Sequence, residues 1–432
     1  MKPIQAFLLT VFCIFGASCP ILANDILVET NADELLTDQK CSLREAMANA
    51  QSNSSAWPDC EAGSGVDIDV IRFDVGLVDQ TIQLSADLPS IGESIRIIGP
   101  LNNGPAVTLD GMDAFRLIDI EGASTVELRN LVLTRGSAST GAAINAPETI
   151  DLTIRNCRIV NNATTVGPVI AVNVDGDGPA LLTMRNTVVR ENINSGSGSA
   201  SNGKILRIDD GTARIERSEI TDNSGTGSSG AGIIYARDSH LTVINSTISG
   251  NRLSGNAAGS AMYLSASDAE LIHATIFDNR SKTLAARPIF VFASSPNSAS
   301  LVISNSIALP SSGNFMCQAS GPGTTSIVEA SSFSSDVACL QTSPIVAADD
   351  LALAPLDDNG GLSRTHALGL QSIAIDAAGD CAELDSELMV DQRSEIRPGL
   401  NSAACDAGAY EAQLPVDSVF ADAFEDASRT GW

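Results

Sequence analysis

Asp209 and Asp210 are the residues whose type and spacing most suggest chemistry. They follow the apolar run Ile205-Leu206-Arg207-Ile208 and precede Gly211. Glycosidic hydrolysis needs two carboxylates, one on either side of the scissile bond, so this pair is the candidate catalytic set. Its plainer role is a solvated turn ahead of the glycine. The loop NVDGDG, Asn173 to Gly178, offers Asp175 and Asp177 as oxygen ligands for calcium, the one metal the sequence suggests. A short DGDG supplies few of the ligands a full calcium loop requires. Three histidines are present, His240, His273 and His366, and none stands in zinc-ligand spacing. No Gly-x-Ser-x-Gly or phosphate loop is found.

The elements that would carry these residues form a repeat. Seven segments share one pattern: VELRNLVL from Val126, LTIRNCRI from Leu152, LTMRNTVV from Leu182, ARIERSEI from Ala213, LTVINSTI from Leu241, AELIHATI from Ala269 and LVISNSIA from Leu301. The fifth position of each is an anchor: Asn130, Asn156, Asn186, Arg217, Asn245, His273 and Asn305. Two before it stand Leu128, Ile154, Met184, Ile215, Val243, Leu271 and Ile303, alternating with polar residues as a half-buried strand does. Three after it the row is apolar again, from Leu133 and Ile159 to Ala308. The inward parity therefore changes at the anchor, and the chain must bend there. Asn suits a bend because it tolerates left-handed backbone. His273, at an anchor, is expected to make a bend hydrogen bond.

A second Asn row lies six residues after the anchor: Asn162, Asn192, Asn223, Asn251 and Asn279. Stacked amides can bond from one repeat to the next. Anchors recur every 26 to 32 residues. Such a period leaves no room for a strand-helix-strand crossover but suits a solenoid, whose repeats bury apolar faces against their neighbours. The expected fold is all-β, a right-handed parallel β-helix with an N-terminal helical cap and a disulfide-bearing C-terminal region. Stretches such as GAGIIY (Gly230 to Tyr235), GSAMYL (Gly259 to Leu264) and PIFVF (Pro288 to Phe292) read as further strands of each coil.

The chain opens with an apolar run from Ala6 to Ala17, too short to span a bilayer, which reads as a signal peptide over residues 1–23 cleaved after Ala23. An exported protein, extracellular or on the outer cell surface, is therefore expected. The formal charge of −27 argues against nucleic acid as a partner. Aromatic residues make up 4% of the chain, few for stacking on sugars. Outside the cytoplasm, cysteines in local pairs suggest disulfides: Cys41 with Cys60, Cys317 with Cys339, Cys381 with Cys405. Cys157 falls in a small inward row and should be a buried, inert thiol.

Residues 24–100 read as the N-terminal cap, with a helix over Cys41 to Ala50 that begins in a Ser42/Glu45 capping box. Coils follow over 101–310, terminal coils and cap over 311–412, and an acidic tail over 413–432. The residues Cys41-Ser42-Leu43-Arg44-Glu45-Ala46, followed by IRFDV, LPSIG and RIIGP, resemble the bacterial CSLREA-domain proteins. DDNGGLSRTHAL, SIAIDAAG, DQRS and CDAGAYE resemble the terminal region grouped as choice-of-anchor Q. The middle is similar, more loosely, to polymorphic outer-membrane protein repeats, though no barrel follows. The tail DSVFADAFEDASRTGW resembles a C-terminal tag of exported gammaproteobacterial proteins, with Ala423 where that tag has Gly. These resemblances imply a surface or secreted β-helix.

β-helices also include pectate lyases and polygalacturonase-like hydrolases. Those hydrolases add a Gly-His-Gly and an Arg-x-Lys, and neither lies near Asp209 and Asp210. The outward row two after the anchor, Val132, Arg158, Val188, Glu219, Thr247, Thr275 and Ile307, is too mixed for a catalytic groove. The sequence thus favours a non-enzymatic interaction protein, adhesin-like or glycan-binding, over a polysaccharide lyase or glycoside hydrolase. It identifies no cofactor beyond calcium and no partner beyond a polysaccharide or cell-surface ligand, and it contains no transmembrane helix.

Overall fold

A computed structural model describes residues 25–413, apart from 101–103, 123–124, 175, 177, 197–202, 228–229, 256–258, 283–286, 311–315, 337–338, 340–344, 380–388, 401 and 403. The expected signal peptide (1–23), Asp175, Asp177, Cys381 and all of the tail beyond Gln413 lie outside the described residues.

The alternating rows become parallel strands stacked in register. Among the described residues a main sheet has eleven strands, a second sheet ten, a third eight and a narrow corner ladder six. Each coil visits them in turn. Asp151–Arg155 lies in the main sheet, Arg158–Val160 in the second, Ala163–Thr164 in the corner ladder and Ile170–Val172 in the third. The next coil begins at Ala180–Arg185, paired parallel with Asp151–Arg155. The result is a parallel β-solenoid of about nine turns.

Register places like over like. Ile154 pairs with Met184, Met184 with Ile215, Ile215 with Val243, Val243 with Leu271 and Leu271 with Ile303. All six are fully buried in one interior file. The third sheet contributes another, Ile118, Ile144, Ile170, Leu206, Ile234, Met262 and Ile289. Each such side chain is worth roughly 1.5–3 kcal/mol when buried. In the last described coil Glu329 takes the position over Ile303, so the apolar file ends there. An inward charge of this kind discourages further stacking.

Every anchor bends as its residue type requires. Asn130, Asn156, Asn186, Arg217, Asn245, His273 and Asn305 all have φ between 46° and 57°. Asn186 Nδ2 donates to Asn156 Oδ1 at 3.0 Å and Asn156 Nδ2 to Asn130 Oδ1 at 3.3 Å. The second row is a continuous buried ladder. Asn162, Asn192, Asn223 and Asn251 each donate from Nδ2 to the next Oδ1, at 2.8–3.0 Å. The same oxygens accept the backbone N–H of the preceding Asn. Each Nδ2 also donates to an interior carbonyl, as Asn223 does to Val189 O. Serines act similarly one residue after the anchor, where Ser246 Oγ accepts from Ser218 N.

The first described strand, Asp25–Val28, already joins the main sheet beside Asp69–Phe73. Helix α1, Leu43–Ser52, is inserted between them with the capping box formed. The six-residue motif is accounted for by structure alone. Cys41 is disulfide-bonded to Cys60, and Ser42 caps the helix. Leu43 and Ala46 are fully buried. Arg44 pairs with Asp33 and donates to the carbonyls of Ala86 and Asp87. Glu45 accepts from Ser42 N and Leu36 N.

The Cys317–Cys339 disulfide closes the last described coil. Cys405 is also disulfide-bonded; its expected partner, Cys381, lies outside the described residues. The chain then turns back, and the described residues between 345 and 413 lie along the outer face of the second sheet. Val346, Leu351, Leu368, Ala374 and Ala407 pack there with Ile307 and Leu309. Among the described residues no helix is long and apolar enough to cross a membrane.

Asn223→Ala would take the side-chain acceptor from the buried Asn192 N–H and Nδ2 and the side-chain donor from the Val189 carbonyl and Asn251 Oδ1. We expect a loss of at least about 2 kcal/mol in denaturant unfolding. Asn31→Ala, at an exposed position, should change stability by less than about 0.5 kcal/mol.

Candidate functional site

The third sheet's outer face holds the carboxylates singled out by the sequence. Asp209 ends the strand Leu206–Asp209, and its register partner is Arg237 on the next coil. It is fully buried. Arg207 Nε reaches its Oδ1 at 3.1 Å, and Arg207 Nη2 and Arg237 Nη2 reach Oδ2 at 2.5 and 2.8 Å. The solvated-turn expectation therefore fails for Asp209, which is sealed between two guanidinium groups. It holds for Asp210, which adopts left-handed backbone at φ 47° and is half exposed.

Asp210 and Asp238 line a shallow pocket of about 600 Å³ with Gly176, Gly178, Pro179, Gly211 and Thr212. Asn173 Nδ2 donates to the carbonyls of Gly178 and Asp209, holding the NVDGDG loop against this strand end. Burial, reinforced by the neighbouring Asp210 charge, raises the Asp238 carboxyl above its ordinary range. Arg237 lies between them, 4.0 Å from Asp210 and 3.9 Å from Asp238. Thus Asp210 shares a pocket with the loop, whereas Asp209 is committed elsewhere. Among the described residues no three His, Cys, Asp or Glu side chains are grouped to hold a metal ion.

Beside the Asp209 pair the sheet gathers its rings. Tyr235, Tyr263 and Phe290 are in register on successive coils, with centroids 5.5 and 5.3 Å apart and planes 10° and 16° from parallel. Rings stacked on one another along the solenoid spend their faces on each other and turn their edges outward. Lys204 Nζ sits 3.7 Å over Tyr235, closing that end. Burial, then the Arg207 charge, lowers the Lys204 ammonium to about 8. The ladder thus packs scarce aromatics ring on ring, with Lys204 over its Tyr235 end.

From Glu219 onward the second sheet's outward row is covered rather than open. Glu219, Thr247, Thr275 and Ile307 are buried. Thr247 Oγ1 donates to Gln392 Oε1, Thr275 Oγ1 accepts from Ala409 N, and Arg364 Nε and Nη2 donate to Glu219 Oε1. His366 bonds Ser249, and His273 Nδ1 lies 3.1 Å from the Asp406 carbonyl and Nε2 3.3 Å from Asn305 Nδ2. Burial, with the Arg397 charge adding to it, depresses the His273 imidazole well below its usual range. The terminal motifs serve this clasp: Arg397 and Glu411 form a wholly buried ion pair at 2.7 Å.

Residues 141–331 match the sequence model of the family described as right handed beta helix region. The match covers the later coils and leaves the first coils and both ends of the chain outside it. No curated protein matches the chain.

Cys157 is buried, and desolvation pushes its thiol up to about 12. We expect no reaction with an aromatic disulfide reagent at neutral pH in the folded protein and one equivalent released on unfolding without reductant. Rapid native labelling would contradict this packing.

Proposed function

We propose that this protein is an exported, non-enzymatic β-helix, an interaction module that meets a polysaccharide or another cell-surface ligand along its flank. The observation that carries this reading is the commitment of Asp209 to Arg207 and Arg237. A fully buried carboxylate whose two oxygens are both taken by guanidinium groups is closed to a substrate. Covering of the second sheet by the described residues between 345 and 413 supports it as well, because the buried row from Glu219 to Ile307 offers no groove to a chain. Export follows from the expected signal peptide and agrees with the disulfides.

One observation favours a second reading, a polysaccharide lyase or hydrolase. Asp210 and Asp238, with Arg237 near both, line one pocket with Gly176 and Gly178 of the NVDGDG loop. Calcium belongs to this reading, with Asp175 and Asp177 as its ligands.

A release assay on a panel of acidic and neutral polysaccharides, with and without calcium, separates the two. We expect no new reducing ends or unsaturated products, and unchanged binding in Asp210→Asn/Asp238→Asn. Turnover abolished by that double substitution would establish the second reading and end the first.

A further inference from the structure

One outward row escaped the sequence reading, the residue just before each anchor. On three successive coils it is Arg129, Arg155 and Arg185, aligned as direct register partners. Parallel strands lie about 4.8 Å apart, so three guanidinium stems leave the sheet at that spacing. Like charges in register repel. Arg185 is partly neutralised by Glu216 at 3.3 Å. Arg129 and Arg155 have no carboxylate partner among the described residues, and the Nε of Arg129 is buried without an acceptor. This is unexpected in a chain with 52 acidic and 25 basic residues.

The row continues round the bend. Arg158, two residues past Asn156, is exposed and likewise has no carboxylate partner among the described residues. With Arg190 and Arg364 it lines a cleft of about 210 Å³, where the second sheet emerges from under residues 358–364. Glu219 lines that cleft too but is buried and already accepts from Arg364 and Thr221. Asp358 at its rim accepts from Gly360 N. On the next coil the row's residue is the buried Glu216, and beyond it, beneath the C-terminal segment, the buried Ile244. The arginines therefore occupy the stretch left open.

We infer that this corner, from Arg129 to Arg190 with Arg364, is a docking site for an anionic saccharide chain. The inference rests on the interaction reading above and adds the ligand class. A polymer with one anionic group per residue can set successive groups against successive rungs, and planar guanidinium groups bind carboxylate and sulfate in two-point fashion. The acidic remainder of the surface repels the dense phosphates of nucleic acid, which leaves a sparsely charged glycan as the better match.

The test uses the full secreted chain, titrated with polygalacturonate and alginate as carboxylate probes, dextran sulfate as the sulfate probe, dextran as the neutral control and duplex DNA as competitor. We expect salt-sensitive binding to a carboxylate or sulfate polymer, the arm that binds naming the group. Arg129→Gln/Arg155→Gln/Arg158→Gln should weaken it by about tenfold or more at unchanged melting temperature. The corresponding triple Lys variant should recover part of the affinity. Equal binding to dextran, binding indifferent to the triple substitution, or tighter binding to DNA would overturn the site while leaving an interaction protein in place. Failure to bind any glycan would overturn the glycan ligand in both readings.

Discussion

The structure depends on hydrogen bonding that runs along the solenoid at its bends. A strand pairs with the strand above it through backbone alone, and the left-handed residue at each bend does so too, as Asn156 N does to Arg185 O and Asn161 N to Arg190 O. The amide that follows the bend residue is answered by a side chain instead. Asn162 N, Asn192 N and Asn223 N each donate to the amide oxygen one coil on. Buried backbone groups without partners cost enough that such a corner would otherwise need water. The ladder therefore permits a dry interior, and the dry interior lets the files of Ile, Leu and Val stack. It also fixes the register, so that every outward residue is repeated at the strand spacing. The arginine row, the tyrosine stack and the Asp209–Arg237 pair are consequences of that repetition.

The two amide rows differ in completeness. The second runs unbroken from Asn162 to Asn279. The first is interrupted at Arg217, and beyond it the anchors turn to the C-terminal segment: Asn245 Nδ2 donates to the Val390 carbonyl, and His273 faces that of Asp406. The exposed corner of the later coils has become an internal interface. The solenoid thus has a covered half, where the described residues between 345 and 413 lie, and an open half carrying the arginines.

The coils were legible because the pattern repeats. Anchor positions, inward rows and the second Asn row could all be aligned by eye, and the helix announced itself through Ser42 and Glu45. What was missed involves contacts that the period does not encode. Arg364 meets Glu219 and Gln392 meets Thr247 across 145 residues of sequence. No spacing rule connects a solenoid row to a clasp so distant. The strand Asp25–Val28 was missed because four residues give too short an alternation. Asp209 was misjudged in isolation, yet its partner lies 28 residues on in the same register, so aligning that row would have shown it. The arginine row was equally readable.

Hydrogen exchange tests the ladder most directly. The backbone amides of Asn162, Asn192 and Asn223 sit at bends, where a loop-like corner would exchange quickly. The account predicts that they exchange only with global unfolding, as slowly as the neighbouring strand amides of Ile159, Val189 and Ile220. Fast exchange at these three amides while those strands stay protected would mean that the corners are wet, and that side-chain amides do not hold the coils in register.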